Sequence, residues 1–133
     1  MKVYLSGASK CLEDEGSGWR KDCEDLVEQL DWDINIINPN TFFNRSTMKP
    51  DTEKQCMACL LYHVKKSDVL LVRLDYTEHS PGTAIEVGMA HALGIPMIGF
   101  GDGVEVYNWV EEMCDHVFEN MGDALSYVYS YYY

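Results

Sequence analysis

Val69-Leu70-Leu71-Val72-Arg73-Leu74, the loop Asp75 to Pro81, the stretch Gly82 to Leu93 and then Ile95 to Phe100 decide the fold. The first run is apolar except for Arg73, as expected of a strand buried on both faces. Within Gly82 to Leu93 only Thr83, Glu86 and His91 are polar, and Gly94 stands where a helix closes on a left-handed residue. A second apolar run, Ile95 to Phe100, follows at once. Strand, helix, strand in this order is a βαβ unit, and its two strands are parallel.

The same alternation extends outward. Val3 to Ser6 reads as a first strand ending at Gly7. From about Gly18 a helix follows, because Trp19, Cys23, Leu26, Val27 and Leu30 fall on one stripe. Ile34 to Ile37 is a second strand, closed by Asn38-Pro39-Asn40, since the residue before a proline is pushed out of the helical region. Asp51 or Thr52 can cap a second helix, with Cys56, Leu60 and Val64 on one face and Met57 and Leu61 beside them. Val106, Trp109, Val110 and Met113 mark a fourth helix, His116 to Phe118 a short fifth strand, and Leu125, Val128, Tyr129 and Tyr132 the buried face of a last helix. The expectation is an α/β chain, one flavodoxin-like or Rossmann-like domain over residues 1–133, with a five-stranded parallel sheet in the order 2-1-3-4-5 and helices on both faces.

Composition narrows the function. At 133 residues and 47% hydrophobic content the chain can bury a core without metals or disulfides. The amino terminus has only a four-residue apolar stretch and no run approaches a membrane span, so neither export nor a membrane partner is expected. Five cysteines, at positions 11, 23, 56, 59 and 114, are poor material for a disulfide framework and read as reduced thiols of a cytoplasmic protein. Cys56 and Cys59 form an isolated pair; a structural zinc site needs four ligands, so core residues are expected and no metal. The net charge of −12 repels polyanions, and Arg20-Lys21 and Lys65-Lys66 are the only adjacent basic pairs. A nucleic-acid polymer is therefore not expected, although backbone amides could hold one small phosphorylated molecule.

In a sheet of this order ligands bind outside the carboxyl ends of the strands, where the order reverses. That brings Ser6-Gly7-Ala8-Ser9 and the loop from Asp75 to Gly82 to one crevice. Glu86 stands about one turn inside the third helix. It reads either as a glutamate favoured by the helix dipole or as a site carboxylate. The small residues Ala84, Gly88 and Ala90 around it, which leave room for a ligand, and the amides at Gly82 and Thr83 favour the second reading.

Met1-Lys2-Val3-Tyr4-Leu5-Ser6-Gly7, Ile37-Asn38-Pro39, Lys66-Ser67-Asp68-Val69-Leu70-Leu71-Val72 and, above all, Ser80-Pro81-Gly82-Thr83-Ala84-Ile85-Glu86-Val87-Gly88 followed by Gly94-Ile95-Pro96 give the chain a resemblance to the nucleoside 2-deoxyribosyltransferase family and its relatives that hydrolyse nucleoside 5'-monophosphates. The resemblance implies that Glu86 attacks the anomeric carbon, expelling the base to give a glycosyl ester that water or a second base resolves. It implies that Tyr4 positions this carboxylate, a core tyrosine being the alternative. It also implies that Ser80, six residues before Glu86, faces a 5'-phosphate as in the monophosphate hydrolases. Ser6, Gly7, Arg20, Asp75, Ser80, Gly82 and Thr83 are the expected substrate-binding residues, with no cofactor.

One position departs from the family pattern. Eight residues before Asp68 the family has an aspartate that contacts the base and serves in its protonation, and here the residue is Leu60. His63, His79 or Asp75 could substitute, or the chain could bind a nucleotide without turning it over. A glycohydrolase of a dinucleotide such as NAD would demand a larger cleft than two short loops suggest. Family sites are completed by a neighbouring subunit, which implies a homo-oligomer. The tyrosine-rich end, Tyr127 to Tyr133, could reach such a neighbour or simply pack as a helix.

Overall fold

The computed structural model describes residues 1–9, 12–42, 53–101 and 109–133. The strands are β1 (Lys2–Ser6), β2 (Asn35–Ile37), β3 (Val69–Arg73), β4 (Met97–Phe100) and β5 (His116–Phe118), and the helices α1 (Ser17–Gln29), α2 (Glu53–Lys65), α3 (Pro81–Leu93), α4 (Trp109–Glu112) and α5 (Met121–Tyr132). All five strands pair in parallel in the order β2-β1-β3-β4-β5. Tyr4 stands opposite Leu70 and Ile37, at the centre of the first three strands.

Alternation along the strands divides the interior into two layers. Val3, Leu5, Val69, Leu71, Ile98 and Phe100 face one way, onto Trp19, Cys23 and Val27 of α1 and Ala124, Leu125 and Val128 of α5. Tyr4, Leu70, Val72 and Met97 face the other way, onto Val64 of α2, Val87 and Ala90 of α3, and Val110 of α4. The doubly wound sheet expected from the sequence is therefore present, with α1 and α5 covering one face and α2, α3 and α4 the other. Among the described residues no helix is long and apolar enough to cross a membrane.

Several expectations shift at element ends. Leu30 is 46% exposed although it continues the apolar stripe of α1. The helix ends at Gln29 and the chain turns through Asp31 at φ 51°, which carries Leu30 away from the sheet. Ile34 is buried but lies ahead of β2, its amide bonded to the Trp32 carbonyl. Ile95 and Pro96 precede β4, because the Ile95 amide closes the end of α3 on the Ala90 carbonyl. On α2, Cys56 and Val64 are buried, whereas Leu60 and Leu61 are only half-buried and Met57 is 48% exposed. Those three side chains face a cavity rather than the sheet. The expected caps Asp51 and Thr52, the expected helix residue Val106 and the thiol of Cys11 lie outside the described residues.

Helix α3 carries its own start and stop. Ser80 is the N-cap, Pro81 occupies the first turn where its missing N–H costs nothing, and Gly94 closes the helix at φ 71° with its amide directed to the Ala90 and His91 carbonyls. A Cβ at Gly94 would meet no atom within 4 Å, so a substitution there costs backbone strain alone. We expect Gly94→Ala to lower stability by about 1–2 kcal/mol, and Gly94→Asn by less, both read from the urea midpoint at unchanged slope.

Candidate active site

Parity along β1 sends Tyr4 and Ser6 to the same side of the sheet, the side covered by α2 and α3. Both are fully buried. From α3, Glu86 meets them: the Tyr4 hydroxyl donates to Oε1 at 2.8 Å and the Ser6 hydroxyl donates to Oε2 at 2.5 Å. The first turn of α3 contains no acidic residue, because Pro81 opens the helix and Glu86 lies beyond that turn. A glutamate merely serving the helix dipole therefore does not describe Glu86. Its carboxylate is instead fastened, across 82 and 80 residues of chain, to the interior strand β1.

Burial raises the Glu86 carboxyl above its ordinary range, opposed by the hydrogen bonds from Ser6 and Tyr4 and by the positive charge of Arg20. Tyr4 is held above the ordinary phenol range by burial first and then by the Glu86 charge, so its hydroxyl remains a donor. Arg20 is nearly fully buried, and burial lowers it to about 10, still charged at neutral pH. Its guanidinium donates to the carbonyls of Gly7 and Gly16, both at 2.9 Å, and to the Ser9 hydroxyl at 3.2 Å, and it lies 4.7 Å from the Trp19 ring. Arg20 thus braces the loop after β1 while adding a positive charge near the carboxylate. Gly7 is needed there: a Cβ would stand 3.1 Å from both the Trp19 ring and the Arg73 Cβ.

A cavity of about 750 Å³ opens beside Glu86. The loop after β1 and the start of α1 contribute Gly7, Ser9, Glu15 and Arg20; the turn after β2 contributes Pro39 and Asn40. Helix α2 contributes Glu53, Cys56, Met57, Leu60 and Leu61, spaced as one helical face, with Lys54 beside them. The remaining wall runs from His79 through Ser80, Pro81, Gly82 and Thr83 to Ile85 and Glu86. Of the residues singled out in the sequence, Glu86, Gly7, Arg20, Ser80, Gly82 and Thr83 line this space, and Tyr4 and Ser6 stand behind Glu86. Asp75 does not line it; its carboxylate accepts from Arg73 Nε at 3.2 Å and packs against Gly101.

Other details differ from expectation. The Thr83 amide is not open to a ligand, because the Ser80 hydroxyl accepts it at 3.4 Å while the Ser80 and Thr83 hydroxyls lie 2.7 Å apart. Ala84, Gly88 and Ala90 do not supply the room beside Glu86: Ala90 packs into the core and none of the three lines the cavity. His63 stacks on Phe42 at 4.5 Å and is not part of the wall, whereas His79 is, with its Nε2 3.6 Å from the Glu78 carboxylate. Two loops alone would make a smaller cleft. The turn after β2 and the face of α2 enlarge it into the upper part of the small-molecule range, so size no longer argues against a dinucleotide. Glu15, Asn40, Glu53 and Lys54 were not foreseen; the position of β2 next to β1 at the order reversal was the available signal for Asn40.

A doubly wound α/β chain with a strand-anchored carboxylate at the switch point belongs to the class that binds small ligands above the sheet. The model of the family described as nucleoside 2-deoxyribosyltransferase matches residues 3–125, and the chain belongs to that family. Among solved structures it is similar to a 2-deoxyribosyltransferase from the psychrotolerant bacterium Bacillus psychrosaccharolyticus, at 23% identity and a TM-score of 0.69, covering 92% of this chain and 89% of that one. A 2-deoxyribosyltransferase from Leishmania mexicana aligns at 18% identity and a TM-score of 0.75 over 99% of both chains. A CMP N-glycosidase from Clostridium botulinum aligns at 20% identity and a TM-score of 0.57 over the whole of both chains. No curated protein matches the chain in sequence. At these identities the solved structures establish the shared fold; the family match sets the activity class, glycosyl transfer or N-glycoside cleavage.

A buried carboxyl raised above its ordinary value of 4.5 favours folding when protonated. Its contribution is fully present below the unfolded value and is lost as pH rises through the folded one. At neutral pH the ionised Glu86 is therefore a cost, and Glu86→Gln should raise the melting temperature. The gain should shrink toward zero as thermal melts are taken down to acid pH.

Proposed function

We propose that the chain breaks the N-glycosidic bond of a nucleoside 5'-monophosphate, with Glu86 as nucleophile. The observation that carries this reading is the Glu86 carboxylate, bonded to Tyr4 and Ser6 and standing in the wall of a cavity of nucleotide size. Both hydroxyls hold the carboxylate still, and together with Arg20 they oppose the burial that would protonate it. An oriented anion then meets the positive charge that develops at the anomeric carbon as the base departs. The Glu86 oxygen bonds to that carbon, and water or a second base later displaces it. Ser80 and the start of α3 at Gly82 and Thr83 form the end of the cavity suited to the sugar 5' substituent, where the helix dipole favours a phosphate.

A second reading, a protein that binds a nucleotide without cleaving it, is favoured by one observation: Leu60 lines the cavity where the family resemblance calls for an acid. A panel of nucleosides and their 5'-monophosphates, followed by chromatography for free base with and without a second base as acceptor, separates the readings. Release without acceptor is hydrolysis, exchange that needs acceptor is transfer, and binding with neither product supports the second reading. Glu86→Gln should cut turnover by at least about 1000-fold while ligand still binds; a variant keeping more than about a tenth of the rate, a loss under ~1.4 kcal/mol of barrier, overturns the nucleophile assignment.

Ser80→Asp keeps a good N-cap on α3, so the fold should hold. It also sets a carboxylate against the 5' substituent. Affinity for monophosphates should fall roughly 10–100-fold more than affinity for the free nucleosides, measured by titration calorimetry on both ligand sets. Equal losses would place the phosphate elsewhere.

A further inference from the structure

We propose that the substrates of this site carry a cationic base, one whose glycosidic nitrogen is part of an N-quaternised ring such as a pyridinium or an N7-alkylpurinium. This deepens the glycosidase reading above and rests on it. With the sugar at Glu86 and its 5' end toward the start of α3, the base lies against α2. That wall is a strip of Cys56, Met57, Leu60 and Leu61, faced by Ile85 of α3. Met57 and Ile85 are about half exposed, an apolar surface available to a flat ring.

A neutral base leaves with an electron pair it cannot hold well, so cleavage gains from an acid placed at that ring. Among the described residues this strip has no carboxyl or imidazole. Glu53 begins the same helical face one turn from Cys56 and Met57, and stands seven residues from Leu60, roughly 10 Å along the axis. His79 belongs to the loop ahead of α3, at the far end of the wall that carries Ile85, and Glu15 to the loop ahead of α1. A quaternised base avoids the requirement: when the bond between the anomeric carbon and nitrogen breaks, the electron pair neutralises the ring and no proton is needed. The positive charge passes to the sugar, next to Glu86, whose oxygen forms the new bond. Water then takes the place of the carboxylate on that carbon, and its proton is released to solvent. One cationic substrate and one water thus give free sugar phosphate, neutral base and one proton.

Charge agrees with this direction. The wall carries the carboxylates of Glu15, Glu53 and Glu86 against the two positive charges of Lys54 and Arg20. A cation entering such a wall loses less than it would in an apolar pocket. It also counteracts the burial that raises the Glu86 carboxyl, so substrate binding favours the ionised nucleophile.

The test compares nicotinamide riboside 5'-monophosphate and 7-methylguanosine 5'-monophosphate with CMP and GMP, reading free base by chromatography. Each kcat/KM is compared directly between compounds, because the readiness of a quaternised base to leave without a proton is the property under test. The cationic pair should exceed the neutral pair by at least about 100-fold, the scale of one absent acid. Leu60→Asp, or Met57→Asp at its more exposed position should the first variant melt early, should narrow that ratio at least tenfold by raising the neutral pair. Equal rates for the two pairs in the wild type would overturn the proposal while leaving the glycosidase reading intact. Release of base from none of the four would overturn both.

Discussion

Two hydrogen bonds, from Tyr4 and Ser6 to the two oxygens of Glu86, link β1 to the helix that follows β3. They impose a constraint on everything around them. Tyr4 and Ser6 must share a face of β1, β1 must lie beside β3, and α3 must start close enough to the sheet edge for its second turn to reach the strand. Parallel pairing of Tyr4 with Leu70 and of Ser6 with Val72 meets the first two conditions. The proline start and serine cap of α3 meet the third. Because the carboxylate would otherwise be a solitary buried charge, the same bonds that position it also make its burial tolerable.

The loop after β1 shows a second constraint, acting through the backbone. Arg20 ties the carbonyls of Gly7 and Gly16 to one guanidinium, so the entrance and exit of that loop are held together. Asp14 adds to this by accepting from the amides of Gly16 and Gly18, at 2.9 and 3.0 Å, which also pulls its carboxyl below the ordinary range. An arginine that looks like a ligand clamp in the sequence is, by its contacts, first a brace for the chain.

What the sequence made legible was whatever depends on periodicity and punctuation. Alternating strands and striped helices gave the two core layers, Gly94 gave the end of α3, and the order of strands gave the crevice in which Glu86 stands. Side-chain partnerships across long separations were less visible. Nothing local marks Ser6, 80 residues away, as a partner of Glu86. The α2 face misled for a related reason: its spacing signals an apolar surface, and an apolar surface that lines a cavity has the same spacing as one that packs on a sheet. Only the position of α2 relative to α3 distinguishes them.

Trp19 occupies an instructive place in this arrangement. Its ring lies beside Gly7, under the Arg20 guanidinium and edge-on to Phe100 at 5.3 Å, and its indole N–H has no partner among the described residues. Trp109, by contrast, is 75% exposed. The chain therefore contains an optical probe built into the floor of the loop that walls the cavity, with a fixed positive charge against its ring. Emission from Trp19 is shielded from dissolved iodide while that of Trp109 is quenched; once Trp32, half-buried against Tyr129, is replaced by phenylalanine, the colour of the residual fluorescence reads the electric field at the loop after β1 without any added label.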